Sequence, residues 1–336
     1  MNTLKSKLAN TPLYQRLSLV KNFPAYSGMA LPDTPFWAES FINVSQWLNG
    51  GEEKQRRTLT KKITQDNGKK QARIPEDDGF IILDFRDNPM VMDAVKCAKD
   101  YADGADWDAL EKTAKKPFLI DYPIDYHNEK FTPIAKLILS PEILGPVSDY
   151  FGSLPVVGDV HIWYSPNKEQ SNDRSRSYHS DGLDRRHVQV FIPLEEIDED
   201  TGPLTFLPAK QSEEIYKKLH KDGIAYRRNQ KLDDADIYKY CSPDDAIKGL
   251  AKPGQAIMAD TTRCYHYGSR FGKRPRLQLL IQYYEPFSKK MPLWNRQARL
   301  DDFDESVIKA LDPDIARNVF GMSHLEYSRM RLSEAA

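Results

Sequence analysis

The sequence has few cysteines and no long apolar segment. Its three cysteines, Cys97, Cys241 and Cys264, are odd in number, widely spaced and form no CxxC pair. This pattern disfavours a disulfide framework or a zinc–thiolate site, and it fits a reducing compartment. No window approaches the roughly 18 apolar residues of a membrane span, and the N-terminal sequence lacks the apolar core of a signal peptide. We therefore expect a cytoplasmic protein that does not enter the membrane.

A strong excess of either charge is also missing. The chain carries 48 Lys and Arg against 49 Asp and Glu, which leaves a net charge of -1. A general nucleic-acid-binding protein would be strongly basic, so this class is disfavoured. Hydrophobic residues make up 40% of the 336 residues, enough for a sizeable core. The length fits one large β domain with helical additions.

The first 76 residues read as a helical N-terminal extension with a polar linker. Apolar and aromatic residues recur at helical spacing from Pro35 to Leu48, so a helix is expected that packs on something larger. Such an aromatic helix would suit a homodimer interface. Residues 51–73 are rich in lysine and arginine without interleaved aromatics, which favours a solvated linker over a patch for an anionic partner.

From residue 77 the pattern changes to short strands separated by turn-forming residues. An apolar run at 80–83 predicts a buried strand, and helical stretches follow at about 91–103 and 133–151. Residues 155–284 hold several short strands with glycine and proline turns, typical of a sandwich or jelly roll. We expect an all-β core with helical additions, of α+β class, over residues 77–290. Residues 291–336 are expected to be helical and to pack on the same domain.

The chemistry is concentrated around Tyr178-His179-Ser180-Asp181-Gly182. Side chains alternate along an extended segment, so His179 and Asp181 point to the same side and can bind one ion. His266, after a predicted buried strand, is the candidate third ligand. Two imidazoles and one carboxylate with open positions form the facial triad of non-haem iron(II) oxygenases. An isolated HxD pair is weak evidence, because such pairs arise often by chance and five other histidines are available.

Arg276 is the candidate for binding an anionic cosubstrate. It lies ten residues after His266 and opens the apolar run Arg276-Leu277-Gln278-Leu279-Leu280. A guanidinium binds a carboxylate in a bidentate manner and stays charged, which suits the second carboxylate of 2-oxoglutarate. A surface arginine that ends a loop with Lys273 and Arg274 is the competing interpretation.

These residues resemble the phytanoyl-CoA dioxygenase-like family of iron(II)/2-oxoglutarate oxygenases over residues 77–290. The matching motifs are, in order, DDGFIIL, VHIWYSP, YHSDG, TGPLTFLPA and PGQAIMADTTRCYHYGS followed by an arginine. The resemblance implies a double-stranded β-helix in which His179, Asp181 and His266 bind iron and Arg276 binds 2-oxoglutarate. It suggests Ser269 as the hydroxyl that supports the distal carboxylate, although its offset from His266 is not the commonest one.

The activity implied by this resemblance is hydroxylation of an unactivated C–H bond of a small metabolite. Fe(II) would be the metal cofactor, 2-oxoglutarate and O2 would be consumed as cosubstrates, and succinate and CO2 would be released. Asp181 disfavours halogenation, because halogenating relatives carry a small residue at that position. The chain departs from the family where Pro208-Ala209-Lys210-Gln211 replaces a PGSH-like sequence.

Substrate contacts are less well defined by the sequence. His161 and Trp163 share one face of a predicted strand, which the resemblance directs into the barrel mouth, but a packed core pair fits equally well. The charged residues near the metal motif favour a polar or anionic small molecule as the substrate, although ordinary surface solvation explains any single arginine. The remaining candidates are Tyr178, Arg176 and Arg186.

Two alternatives from other classes stay open. A cupin-like metalloenzyme, such as an isomerase or a 2-oxoglutarate-independent oxygenase, would use the same triad and would not need Arg276 for cosubstrate binding. A catalytically silent metal- or ligand-binding protein could keep the same scaffold. A jelly roll hosts many functions, so the fold does not separate these possibilities.

Overall fold

The computed structural model describes residues 35–65, 72–168, 174–181, 185–225, 230–288 and 302–321. Helices precede and flank a β core. The helices are α1 (Pro35–Leu48), α2 (Gly50–Gln65), α3 (Pro89–Asp103), α4 (Trp107–Thr113), α5 (Thr132–Leu139), α6 (Pro141–Phe151), α7 (Ala209–Lys221), α8 (Asp234–Ile237), α9 (Glu305–Lys309) and α10 (Pro313–Val319). No helix in these ranges has the length and apolar character that a bilayer crossing requires.

The β core consists of two antiparallel sheets. The strands are β1 (Phe80–Asp84), β2 (Ile120–Pro123), β3 (Val156–Ser165), β4 (His187–Pro193), β5 (Thr205–Phe206), β6 (Ile247–Lys248), β7 (Gln255–Asp260), β8 (His266–Tyr267) and β9 (Arg276–Tyr284). The large sheet has the order β1-β7-β4-β9-β3-β2 and the small sheet the order β6-β5-β8. A two-residue segment, Tyr178–His179, extends the small sheet, since His179 bridges His266 of β8 and Tyr178 bridges Leu232.

The chain crosses repeatedly between the sheets, as in a jelly roll. It passes from β3 in the large sheet to the 178–179 segment in the small one, and then back to β4. After β5 and β6 in the small sheet, β7 returns to the large sheet, β8 to the small one and β9 to the large one. This is the double-stranded β-helix expected from the sequence.

Alternating side chains of the large sheet separate the core into two layers. In β9, Leu277, Leu279, Ile281 and Tyr283 belong to the largest buried cluster, which also contains residues of α3, α5 and α6. Leu280 points the other way, into a smaller cluster shared with β4, β5 and β7. Each fully buried leucine of this kind contributes about 1.5–3 kcal/mol of apolar transfer free energy. The main core thus lies on the outer face of the large sheet, and the inward-facing positions between the two sheets are available for a binding site.

The N-terminal region differs from two expectations. The linker expected across residues 51–73 is helical over Gly50–Gln65, because carboxylates in its first turn pair with arginines four residues later. Helix α1 is confirmed, but its apolar residues are only partly packed. Phe41 is buried, whereas Phe36 is 69% exposed and Trp47 is 79% exposed. Residues 1–34 of the expected extension lie outside the described residues.

The described part of the C-terminal segment is helical and contacts the main core. Phe303, Val307, Leu311, Val319 and Phe320 belong to the same buried cluster as β9 and α5. The division into an N-terminal extension, an oxygenase domain at 77–290 and a C-terminal segment stays a prediction. The same holds for the homodimer.

Candidate metal centre

Two of the three expected ligands are cross-strand neighbours in the small sheet. The backbone N–H of His179 donates to the carbonyl of His266 at 3.1 Å, and that of His266 donates back at 2.8 Å. Residues directly opposite each other in an antiparallel pair project to the same face. The two imidazole rings accordingly lie 4.4 Å apart between their centroids.

Asp181 completes a cluster with the two histidines. Its Oδ1 lies 3.8 Å from Nε2 of His179 and 3.8 Å from Nε2 of His266. One ligand atom from each of the three residues lies within 4.8 Å of the others. Both histidines are buried, with 6% and 7% of their surface exposed. Three donor atoms thus converge on one point, as the HxD pattern predicted.

Backbone contacts fix which nitrogen of each imidazole faces this point. Nδ1 of His179 lies 2.9 Å from the carbonyl oxygen of Ser177, and Nδ1 of His266 lies 3.0 Å from that of Cys264. A carbonyl only accepts, so each Nδ1 carries the proton and each Nε2 presents a lone pair. Burial also lowers the pKa of His179 to about 3. The neutral form that ligation requires is therefore the stable form of His179 at neutral pH.

The carboxylate of Asp181 is oriented by groups from the large sheet. Nε2 of Gln189 donates to its Oδ2 at 2.7 Å and lies 3.2 Å from Oγ1 of Thr261. The backbone N–H of Asp181 donates to the carbonyl of Thr261 at 2.9 Å. Nδ1 of the buried His187 is 3.9 Å from the same Oδ2. These contacts hold Oδ2 and leave Oδ1 facing the histidines.

The donor set fits a divalent transition metal. Two neutral imidazole nitrogens and one carboxylate oxygen are the ligands of the facial triad that binds non-haem iron(II). A structural zinc site would surround the ion with four protein ligands. Among the described residues, the only group of three or more His, Cys, Asp or Glu side chains with ligand spacing is this one. An ion held here keeps coordination positions for other molecules.

Arg276 is buried between the sheets without a carboxylate partner in the described part of the chain. Only 4% of its surface is exposed. Its guanidinium donates to the carbonyl of Gly202 at 2.6 Å, to Oγ of Ser269 at 2.9 Å and to Oγ of Ser165 at 3.3 Å. Burial lowers its pKa to about 10, which leaves it cationic at neutral pH. A buried cation of this kind fits an anionic ligand.

The guanidinium of Arg276 lies beside Gly268, two residues along the strand from the ligand His266. A Cβ added to Gly268 would lie 3.4 Å from its Nη2, so the backbone at residue 268 is in close contact with it. Residues 266 and 268 share a face of an extended strand and are separated by about 6.6 Å along it. That span suits a short dicarboxylate with one end at the triad and the other at Arg276. Gly268 leaves room for this approach.

Ser269 is held against Arg276 in an unusual backbone conformation. Its φ is 59°, in the left-handed region that non-glycine residues seldom occupy. Its hydroxyl contacts both Arg276 and Oγ of Ser165, the latter at 2.8 Å. The structure therefore places Ser269 beside Arg276, and its role towards a distal carboxylate stays a prediction.

The candidate substrate residues separate into inward-facing and outward-facing groups. His161 and Trp163 alternate with core-facing Ile162 on β3, and Trp163 packs against the cluster between the sheets. His161 is ion-paired with Asp121 and lies 3.8 Å from Asp159. These two carboxylates raise the pKa of His161 to about 9, against the opposing effect of burial. Their role as substrate contacts stays a prediction.

Tyr178 and Arg186 do not join the triad. Tyr178 is fully buried in a cluster with Leu232 and Tyr265, on the opposite face of the small sheet from His179. Arg186 stacks on the ring of Tyr150 at 4.4 Å and forms an ion pair with Glu76 at 2.7 Å. Both have structural contacts, and their role as substrate contacts stays a prediction.

Arg176 lies closer to the metal motif in sequence. It is buried, and its guanidinium carbon lies 4.4 Å from the ring centroid of Phe118. Its backbone carbonyl accepts a hydrogen bond from Nε of Arg270. The aromatic contact positions Arg176 beside the segment that leads into His179.

Several residues of the site were not identified from the sequence. Gln189 and His187 are polar residues at inward positions of a strand whose alternate residues are apolar, a signal that could have been recognised by its alternation. Ser165 and Gly202 reach Arg276 from distant segments, and no local pattern marks them. Lys231 is also absent from the expected set.

Comparison with known proteins gives matches only among solved structures. No family model matches the chain, and no curated protein matches it. EctD from S. alaskensis with bound Fe has a TM-score of 0.45 at 18% identity, covering 66% of this chain and 76% of that one. The non-haem alpha ketoglutarate dependent carbocyclase SnoK from nogalamycin biosynthesis has 0.43 at 14%, covering 62% and 81%. The non-haem monooxygenase ThoJ has 0.43 at 14%, covering 76% and 97%.

The identities and TM-scores of these structures are low, so the function of this chain has to be inferred from its own residues.

Proposed function

We propose that this protein is an iron(II)/2-oxoglutarate-dependent dioxygenase that hydroxylates a C–H bond of a small metabolite. The observation that carries the proposal is the combination of two features inside one barrel. A buried His179–Asp181–His266 cluster presents three metal-ligand atoms, and a buried Arg276 without a carboxylate partner in the described residues lies one strand step away. Iron and a dicarboxylate together would occupy both.

His179, Asp181 and His266 would hold the iron. When bound, Fe(II) with 2-oxoglutarate and O2 supplies the oxidising power for hydroxylation, and succinate and CO2 are the other products. Each Nδ1–H donates to a backbone carbonyl, which fixes the orientation of both rings and leaves each Nε2 directed at the metal position. Gln189 keeps the carboxylate of Asp181 directed at the same point.

Arg276 would bind the distal carboxylate of 2-oxoglutarate. Its charge is already desolvated, so an incoming carboxylate gains a strong hydrogen-bonded ion pair in a medium of low dielectric constant. The hydroxyls of Ser165 and Ser269 accept from the guanidinium, and since one of them donates to the other, the remaining hydroxyl proton is available for the carboxylate. The cosubstrate would thereby be placed with its keto acid end towards the triad.

The space between the two sheets is lined by apolar side chains, among them Leu280, Phe191 and Phe206. They are buried and belong to the cluster between the two sheets. Such a lining keeps water away from the reacting atoms and strengthens the electrostatic contacts of Arg276. A metal enzyme that does not use 2-oxoglutarate would leave the buried charge of Arg276 without a role, which favours the dioxygenase over that alternative.

Anaerobic titration of the metal-free protein with Fe(II) and then 2-oxoglutarate tests the proposal. Chelation of iron by 2-oxoglutarate gives a weak visible charge-transfer absorption, which we expect for the wild type. His266→Ala removes a ligand and should abolish the band. His220→Ala, which changes a histidine on α7, is the matched control and should retain it.

Stoichiometric iron binding without a band would contradict the use of 2-oxoglutarate and favour the metalloenzyme alternative. Absence of iron binding in the wild type would contradict the metal centre and favour a binding protein on the same scaffold.

A further inference from the structure

Lys231 occupies the position next to the two histidines in the small sheet. The backbone N–H of Leu232 donates to the carbonyl of Tyr178 at 2.8 Å, and the two residues form an antiparallel bridge. In this register Lys231 lies opposite His179, which itself lies opposite His266. The three residues therefore form one row across neighbouring segments of the sheet.

The side of the sheet to which Lys231 points follows from its neighbours. Tyr178, Leu232 and Tyr265 are buried together in the cluster packed on α7. Because side chains alternate along extended segments, the next residues point to the opposite face. His179 and His266 do so and form the metal cluster, and the register places Lys231 on their face.

The ammonium of Lys231 and the metal cluster act on each other electrostatically, because the carboxylate of Asp181 stabilises the charged form of Lys231 from beyond ion-pair distance. Among the described residues, no carboxylate lies within ion-pair distance of its ammonium. Lys231 is exposed, so a molecule that enters from solvent can reach it. A strongly hydrated ammonium directed towards a metal pocket is a recognition group for an oxyanion.

A second cationic side chain, Lys116, lies near enough to act on Lys231. Partial desolvation of the ammonium lowers the pKa of Lys231 to about 8, the Asp181 carboxylate opposes this, and the charge of the exposed Lys116 adds to the lowering. Phe118, two residues further, carries the guanidinium of Arg176 on its ring. The net charge of the whole chain is -1, so this concentration of cations beside the triad is local.

We propose that Lys231 receives an anionic group of the substrate, so that the hydroxylated metabolite carries a carboxylate, sulfate or phosphate. The inference rests on the proposed function, because it assigns the substrate of the same site. Arg276 is a separate, buried cation beside Gly268, and in the proposed function it binds the cosubstrate. The substrate anion thus has a cation of its own, at the solvent side of the metal centre.

Phosphorus-31 relaxation of inorganic phosphate tests this directly. The protein is loaded with Mn(II) and saturated with 2-oxoglutarate, which occupies Arg276. Paramagnetic Mn(II) accelerates the relaxation of phosphate bound near the metal, whereas phosphate on distant surfaces is unaffected. We expect acceleration in the wild type and a loss of at least about tenfold in phosphate affinity in Lys231→Met.

Two variants make the result specific. Lys231→Arg keeps the charge and should retain most of the effect. Lys210→Met removes an exposed lysine that pairs with Asp77 on the surface, and it should behave as the wild type. Equal relaxation in wild type and Lys231→Met would overturn the proposal, as would no acceleration in the wild type.

The iron and 2-oxoglutarate band is measured first in each variant. A normal band with no dependence of phosphate binding on Lys231 overturns the substrate assignment alone. A missing band in the wild type overturns the proposed function itself.

Discussion

Each ligand of the metal cluster has a second contact that determines its direction. The Nδ1 atoms of His179 and His266 are held by backbone carbonyls, and Oδ2 of Asp181 is held by Gln189. Ligands fixed in this way do not have to reorganise when a metal binds. The same residues alone, without their contacts, would satisfy the HxD pattern and lack this preorganisation.

The ion pairs of His161 predict a pH-dependent stability. The pKa of His161 is raised from 6.5 to about 9 by Asp121 and Asp159, against the opposing effect of burial. A raised folded-state pKa stabilises the fold fully below pH 6.5, and this contribution is lost as the pH rises to about 9. Both carboxylates are about half exposed, so screening reduces it to on the order of 1 kcal/mol.

Urea unfolding of the metal-free protein at several pH values measures this contribution. We expect the difference in free energy of unfolding between wild type and His161→Gln to shrink as the pH rises from 6 to about 9.5. A difference that stays constant over this range would show that His161 is not the titrating group.

Helix α2 shows how an element can be misassigned from composition. Its many charges suggested a solvated linker, yet Glu52–Arg56 and Glu53–Arg57 pairs at helical spacing support a helix. Arg56 is completely buried, whereas arginines in charged segments of this kind are usually exposed. The pairs were visible in the sequence, but the burial of Arg56 depends on distant backbone.

Arg56 links the helix to two other parts of the chain. Its guanidinium donates to the carbonyls of Leu154 and Asn318, each at 3.0 Å. Arg56→Met leaves these buried acceptors without that donor, and we expect a loss of about 2–4 kcal/mol in the free energy of unfolding. Arg57→Met, at an exposed neighbour, should cost less than about 1 kcal/mol.

Urea denaturation of both variants checks this prediction. Equal losses for Arg56→Met and Arg57→Met would contradict the role of α2 as a buried connection between α6, β3 and α10.

At the scale of the molecule, the jelly roll was predictable because its strands are short and bounded by turn formers. The triad and Arg276 were proposed because the ordered motifs resemble an oxygenase family, whereas spacing and strand alternation alone left a chance HxD pair and a surface arginine open. Lys231 was not, since no sequence motif marks it and its position follows only from the bridge between its neighbour Leu232 and Tyr178. Contacts between distant segments, such as Gly202 with Arg276, likewise depend on the closed barrel.

A comparison of two ligands tests the proposed pairing of Arg276 with the distal carboxylate of 2-oxoglutarate. Dissociation constants of the Fe(II) protein are measured without oxygen for 2-oxoglutarate and for 2-oxopentanoate, which lacks the distal carboxylate. The wild type should prefer 2-oxoglutarate by at least about tenfold. Arg276→Leu should erase this preference, whereas Arg276→Lys and the exposed control Arg274→Leu should keep most of it. A preference that survives in Arg276→Leu, or is absent from the wild type, would contradict the account.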